Sequence, residues 1–177
     1  MSDARTLPRL GVLAALLAVL VAAAAFGAAG ARAGHNPNAA DIRVRMEVGT
    51  FVFPSDQEIG VIHVYVDNYD GTKNAKQVKV NIFQMSMWPA SIESVAIDSN
   101  NSGSGVICTH LSNINTQCVI ERLPVGTNVT FHVNLRTQNL GGALSADGLL
   151  RANASTAVGE VDTADNSAKR KYTVYEP

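Results

Sequence analysis

Val106–Thr137, VICTHLSNINTQCVIERLPVGTNVTFHVNLRT, is the stretch whose reading decides the fold. Its second half alternates without a break: Val129, Phe131, Val133 and Leu135 fall on one side, and Thr130, His132, Asn134 and Arg136 on the other. Period two is the mark of a strand with one buried face, because successive side chains of an extended chain point to opposite sides. Ahead of it, Leu123-Pro124-Val125-Gly126 supplies turn chemistry, and Cys108 and Cys118 flank a short polar segment, Thr109 to Gln117.

Outward from this stretch the same pattern recurs. Upstream, Asp41 to Val48 sets Ile42, Val44, Met46 and Val48 inward and Arg43, Arg45 and Glu47 outward. A loop with Pro54, Ser55 and Asp56 follows, and then Glu58 to Asp67, which is apolar on both faces as a central strand would be. Asn68-Tyr69-Asp70-Gly71 reads as a turn in which Gly71 takes positive φ. Ala75 to Met85 returns with Val78, Val80 and Ile82 inward until Trp88-Pro89 stops it, and Ser91 to Ile97 is a shorter strand. Asp98 to Gly105 is too rich in Ser, Asn and Gly to pack and reads as a surface loop, as does Gln138 to Gly148. Leu149 to Val158 and Lys169 to Tyr175 complete the set, the last with Tyr172 and Val174 inward. The expectation is an all-β, immunoglobulin-like sandwich of about seven or eight antiparallel strands over residues 41–177, with no helix of consequence.

The amino terminus reads as an address. Arg5 and Arg9 precede an apolar run from Leu10 through Ala31, and Ala31-Arg32-Ala33 presents the small residues that a signal peptidase accepts. Residues 1–33 are therefore expected to be a hydrophobic signal helix, with 34–40 a polar leader; the alternative is an uncleaved membrane anchor, since about 20 apolar residues suffice to span a bilayer. On either reading the domain lies outside the cytoplasm, secreted or at the cell surface, and touches membrane only through this segment. Removing Arg5, Arg9, Arg32 and Asp3 with the leader leaves 11 basic against 14 acidic side chains, from 14 and 15 in the whole chain. That balance carries no basic stripe and argues against a nucleic-acid partner.

Export favours pairing of the only two cysteines, Cys108 and Cys118, whose spacing matches neither a redox nor a zinc motif. Closing so short a loop contributes about 2–3 kcal/mol through the unfolded state.

The order of these features resembles a family of bacterial and archaeal surface modules. Ala40-Asp41 opening a strand, Val66-Asp67-Asn68 before a turn with Gly71, Val78, Trp88-Pro89-Ala90, Cys118, Leu123-Pro124-Val125-Gly126 and Asp165-Asn166-Ser167-Ala168 before a last strand fall in sequence. The chain is similar in this to the surface repeat domain of unknown function eleven and its relative CARDB, the cell-adhesion-related domain found in bacteria. The resemblance implies an immunoglobulin-like sandwich in exported, adhesive chains, with no catalytic residues to carry over. Two departures stand out: there is one copy where such chains carry several, and Asn68-Tyr69-Asp70-Gly71 replaces an Asn-Asn-Gly style of turn.

Site chemistry is sparse. No nucleophile elbow accompanies the serines, and the histidines, His35, His63, His110 and His132, come without the Cys and Met spacing of a copper site. Glu160, Asp162 and Asp165, with Asn166, share one loop and form a calcium candidate, although the glycine-spaced pattern of a calcium-binding loop is missing. Asn100, Asn128 and Asn153 each open an Asn-x-Ser/Thr acceptor, relevant where the host glycosylates exported proteins. The functional expectation is a non-enzymatic exported module with a structural, adhesive or assembly role. Its partner is a protein or glycan at the cell surface, or further copies of itself in a layer or filament, met through loops and open sheet edges. The alternative is an exported metal- or small-ligand-binding sandwich that uses Glu160 to Asn166.

Overall fold

The structure, a computed structural model, describes residues 38–98 and 103–177, and these contain ten strands and no helix. The segment 1–33, expected to be a signal helix, as well as His35 and Asn100, lie outside the described residues. The strands are β1 (Ile42–Met46), β2 (Phe51–Pro54), β3 (Ile59–Asn68), β4 (Ala75–Gln84), β5 (Ala90–Ile97), β6 (Ser104–Ser112), β7 (Asn115–Leu123), β8 (Thr127–Thr137), β9 (Ser145–Ser155) and β10 (Ser167–Tyr175). One sheet has the order β1-β3-β8-β5 and the other β2-β10-β9-β4-β7-β6.

Alternation builds the core from both sheets. Ile42, Val44, Ile62, Val64, Val66, Val129, Phe131, Val133 and Leu135 face inward from the first sheet and are buried. They meet Val78, Val80, Ile82, Ile120, Leu150, Ala152, Tyr172 and Val174 of the second. Each large apolar side chain so removed from water stabilises the fold by about 1.5–3 kcal/mol. Tyr172 is the largest of the fully buried side chains, and its hydroxyl donates to the Gln84 side-chain carbonyl. Burial pushes this phenol well above its ordinary pKa. Its ring lies across Gly148, directly opposite on β9, where a Cβ would overlap the ring.

The strand count exceeds the expected seven or eight, and the additions have physical reasons. β2 forms where a Pro54 loop was expected, because a proline that lacks an N–H is tolerated on an outermost strand. β2 also pairs with β10 in parallel, so the sandwich is not wholly antiparallel. β6 replaces part of the expected loop at Asp98 to Gly105 and the Cys108 flank. Lying at a sheet edge, it turns only Val106 and Cys108 inward, both half-buried, which is too short a run for periodicity to reveal. The polar segment Thr109 to Gln117 is a hairpin with its turn at 113–114. β9 begins at Ser145, which shortens the loop expected at Gln138 to Gly148. Val48 is 88% exposed, beyond the end of β1, rather than inward. β3 is an interior strand as expected, but its second face is open: Val61 is exposed, and Tyr65 is covered only in part, with the Arg45 guanidinium 5.6 Å from its ring centre.

Cys108 and Cys118 are bonded, and they sit directly opposite each other on β6 and β7. The bridge therefore fixes an edge strand to its neighbour within one sheet; it does not pin the two layers together.

Candidate functional site

Four strands end the two sheets: β1 and β5 in one, β2 and β6 in the other. An open edge presents unpaired N–H and C=O groups, and proteins blunt such edges with charge, proline, brevity or a bulge. β1 is short and carries Arg43 and Arg45, the latter donating to both carboxylate oxygens of buried Asp67 at 2.7 and 3.0 Å. That bond holds the Arg45 guanidinium above its ordinary pKa. β2 is four residues long and ends in Pro54. β5 carries a bulge between Ile92 and Ser94 and the charged Glu93, which is paired with Arg136 of β8. β6, SGVICTHLS, has no charged residue and no proline over nine residues. Its irregularities lie at its ends, Gly105 at φ +63° and a register shift between His110 and Ser112, which leaves Val106 to His110 regular. Ile107 and Leu111 are 69% and 55% exposed on this strand, while Val106 and Cys108 lean on the core.

The acidic loop is the second feature. Glu160 bridges to Ala40 in parallel, and its carboxylate accepts from the Asn166 amide at 3.0 and 2.9 Å. Burial holds the carboxyls of Glu160 and Asp165 above their usual range, and the charge of Asp41 adds to the effect. Among the described residues the calcium candidate Glu160, Asp162 and Asp165 is not gathered as a metal-holding group, and Asp162 accepts from the Ala164 N–H at 2.8 Å as a local cap. Asp41 at the entry to β1, which sequence reading left out, acts on Glu160 and Asp165 through its charge.

A third cluster crosses the outer face of the four-stranded sheet. His63 and His132 are register partners with ring centres 4.6 Å apart. Glu47 accepts from His63 Nδ1 at 2.8 Å, and Asp98 lies 3.7 Å from His132 Nε2. His110 is on the other sheet, 3.0 Å from the Thr116 hydroxyl. Of the glycan acceptors described, Asn153 is exposed on β9 and Asn128 half-buried on β8. A separate cavity of about 340 Å³ opens beside Gln84, Met85, Trp88, Gly148 and Leu149.

No family model and no curated protein matches the sequence. Solved structures do. The CARDB domain of a Pyrococcus furiosus protein, solved with di-metal ions, is similar over 77% of this chain and 89% of its own, with 14% identity and a TM-score of 0.51. A type I cohesin from a cohesin–dockerin complex of Clostridium thermocellum is similar over 78% of this chain and 97% of its own, with 10% identity and a TM-score of 0.54. A cohesin module of a Clostridium perfringens family 33 glycoside hydrolase gives 78%, 99%, 10% and 0.52. The fold is a CARDB- and cohesin-like sandwich. At these identities the likeness concerns architecture, and it agrees with the CARDB side of the resemblance read from the sequence.

Proposed function

We propose that this chain is a non-enzymatic, exported assembly module whose partner is a second copy of itself, joined by strand addition at β6. One observation carries the reading: among the four sheet edges of the described residues, β6 alone is long and free of both charged residues and proline, and its irregularities at Gly105 and between His110 and Ser112 leave Val106 to His110 regular. Antiparallel pairing of two β6 strands would place Ile107 of each copy beside the outward side chains of the other and satisfy the open ladder groups of both. The Cys108–Cys118 bond holds β6 on β7 before any partner arrives, so little ordering entropy remains to be spent on docking. A disulfide and an address-like amino terminus support an oxidising location outside the cytoplasm. The cohesin–dockerin pairing of a neighbour with the same fold agrees with a protein-binding role.

Ile107→Lys tests this. A charge on an exposed edge opposes strand pairing while leaving the fold within about 0.5 kcal/mol, because the site lies outside the core. Sedimentation velocity over a concentration series should show the full chain associating and the variant shifted to the smaller species. Equal sedimentation of the two chains at every concentration would reject the edge as the interface.

A further inference from the structure

The two sheets treat their positive charge differently. On the four-stranded sheet each arginine meets an acid: Arg43 and Arg45 face Asp67, and Arg136 faces Glu93. The outer face of the six-stranded sheet carries Lys76, Lys79, Arg122, Arg151, Lys169 and Lys171 against two acids, Glu121 and Asp147. Among the described residues only Lys171 of these cations is paired, with Asp147 at 2.6 Å. Two register positions are unfavourable in themselves, because Lys76 stands directly opposite Arg122, and Lys169 directly opposite Arg151. Like charges placed opposite each other on neighbouring strands weaken a sheet. A bound anion removes that penalty.

Hollows in the surface connect these charges. One of about 500 Å³ is lined by Lys76, Gln77 and Arg122; the next, of about 350 Å³, by Gln77, Lys79 and Ser155; a third, of about 270 Å³, by Arg151, Asn153, Ser167 and Lys169. Gln77 belongs to the first two, and Ser155 and Asn153 are successive outward residues of β9, so the three follow one another across the face. Arg151 is the register partner of Phe83, which lies further along β4 than Lys76 and Lys79. With about 3.3 Å for each residue along a strand and about 4.8 Å between strands, the Lys76–Arg122 pair lies roughly 25 Å from the Lys169–Arg151 pair. A small ion does not bridge that distance; an extended chain does. Between the cations stand amides and hydroxyls, Gln77, Asn153, Ser155 and Ser167, which suit the hydroxyls of a sugar chain. Among the described residues no aromatic ring lines these hollows, so the face offers no platform for a nucleic-acid base.

We propose that this face binds a linear acidic polysaccharide of the polyuronate kind, laid from Lys76 and Arg122 past Lys79 to Arg151 and Lys169. Carboxylates along the polymer meet the two like-charged pairs, and Arg151 brings the planar fork that matches a carboxylate. The track stands apart from pairing at β6, a strand that holds none of these residues.

The test is calorimetric titration of sodium polygalacturonate into a dilute solution of the full chain at low and at high salt. Binding is expected at low salt and is lost at high salt, as for contacts between exposed charges. Neutral dextran and monomeric galacturonate should not bind. Arg151→Gln combined with Lys169→Gln should weaken binding roughly tenfold, and Lys79→Gln should weaken it less. Arg136→Gln removes the same charge from the other sheet and should bind as the parent does. Lys169→Glu should weaken binding yet melt no lower than the parent, since a like-charged pair becomes an opposite one. That variant separates loss of the track from loss of the fold. Absence of binding at low salt would overturn the proposal, as would a loss in Arg136→Gln equal to that in Lys79→Gln. Tighter binding of single-stranded DNA than of polygalacturonate would assign the face to another class of partner and reject it equally.

Discussion

Asn68→Ala should lower the stability of the sandwich by about 3–5 kcal/mol, and for a domain of this size the melting temperature should fall by about 10–15 °C. Asn68 ends β3 and is fully buried. Its Oδ1 accepts from the Asp41 N–H at 3.0 Å, and its amide donates to the Lys73 carbonyl at 2.8 Å and to the Leu123 carbonyl at 3.1 Å. One side chain thus ties together the entry to β1, the loop before β4 and the end of β7. Alanine would remove the partner of three backbone groups, the Leu123 carbonyl in a buried place and the Asp41 N–H and Lys73 carbonyl in partly buried ones, and a buried group left unpaired costs about 1–3 kcal/mol. Gly71 belongs to the same arrangement. It does not adopt the positive φ expected of it in the sequence; a Cβ there would run into Asn68 Oδ1 and come 2.7 Å from the Asp41 nitrogen. The glycine is needed for closeness. Urea unfolding followed by circular dichroism measures the loss, and a change below 1 kcal/mol would show that these bonds are replaced by solvent.

Phe131→Ala should cost about 3–5 kcal/mol as well, by a different route. Phe131 lies mid-way along β8, an interior strand, opposite Val64 of β3 and Ile97 of β5, and is fully buried between the sheets. Truncation removes the transfer energy of the ring and leaves a cavity that two sheets held by their own ladders cannot close. The denaturation midpoint should fall with the slope unchanged, since the strands remain; a slope that falls with it would indicate a loosened native state.

The strands that alternate were legible in the sequence, because each has a core on one side and solvent on the other. β1, β3, β4, β5, β8 and β10 all announce themselves in this way. β2 and β6 did not, being edge strands whose side chains meet solvent on both faces or are too few to show a period. The pairing of strands is a long-range matter that local pattern does not encode, which is why the disulfide could be inferred but not its place between neighbours of one sheet. The candidate site divides along the same line. Glu160, Asp165 and Asn166 are close in the chain and were found together, whereas Asp41 joins them only through the parallel bridge of Ala40 to Glu160, and His63 meets His132 only through the β3–β8 register. The exposed edge of β6 became visible only when its neighbour on one side was known and, among the described residues, none stood on the other.

The most direct test is amide hydrogen exchange along Val106 to His110 as a function of protein concentration. Edge pairing predicts that the outward amide hydrogens of β6 exchange quickly in dilute solution and are protected in concentrated solution, while those of β1, β2 and β5 stay unchanged. Exchange at β6 that is the same at every concentration, or protection that appears at another edge instead, would contradict assembly through this strand.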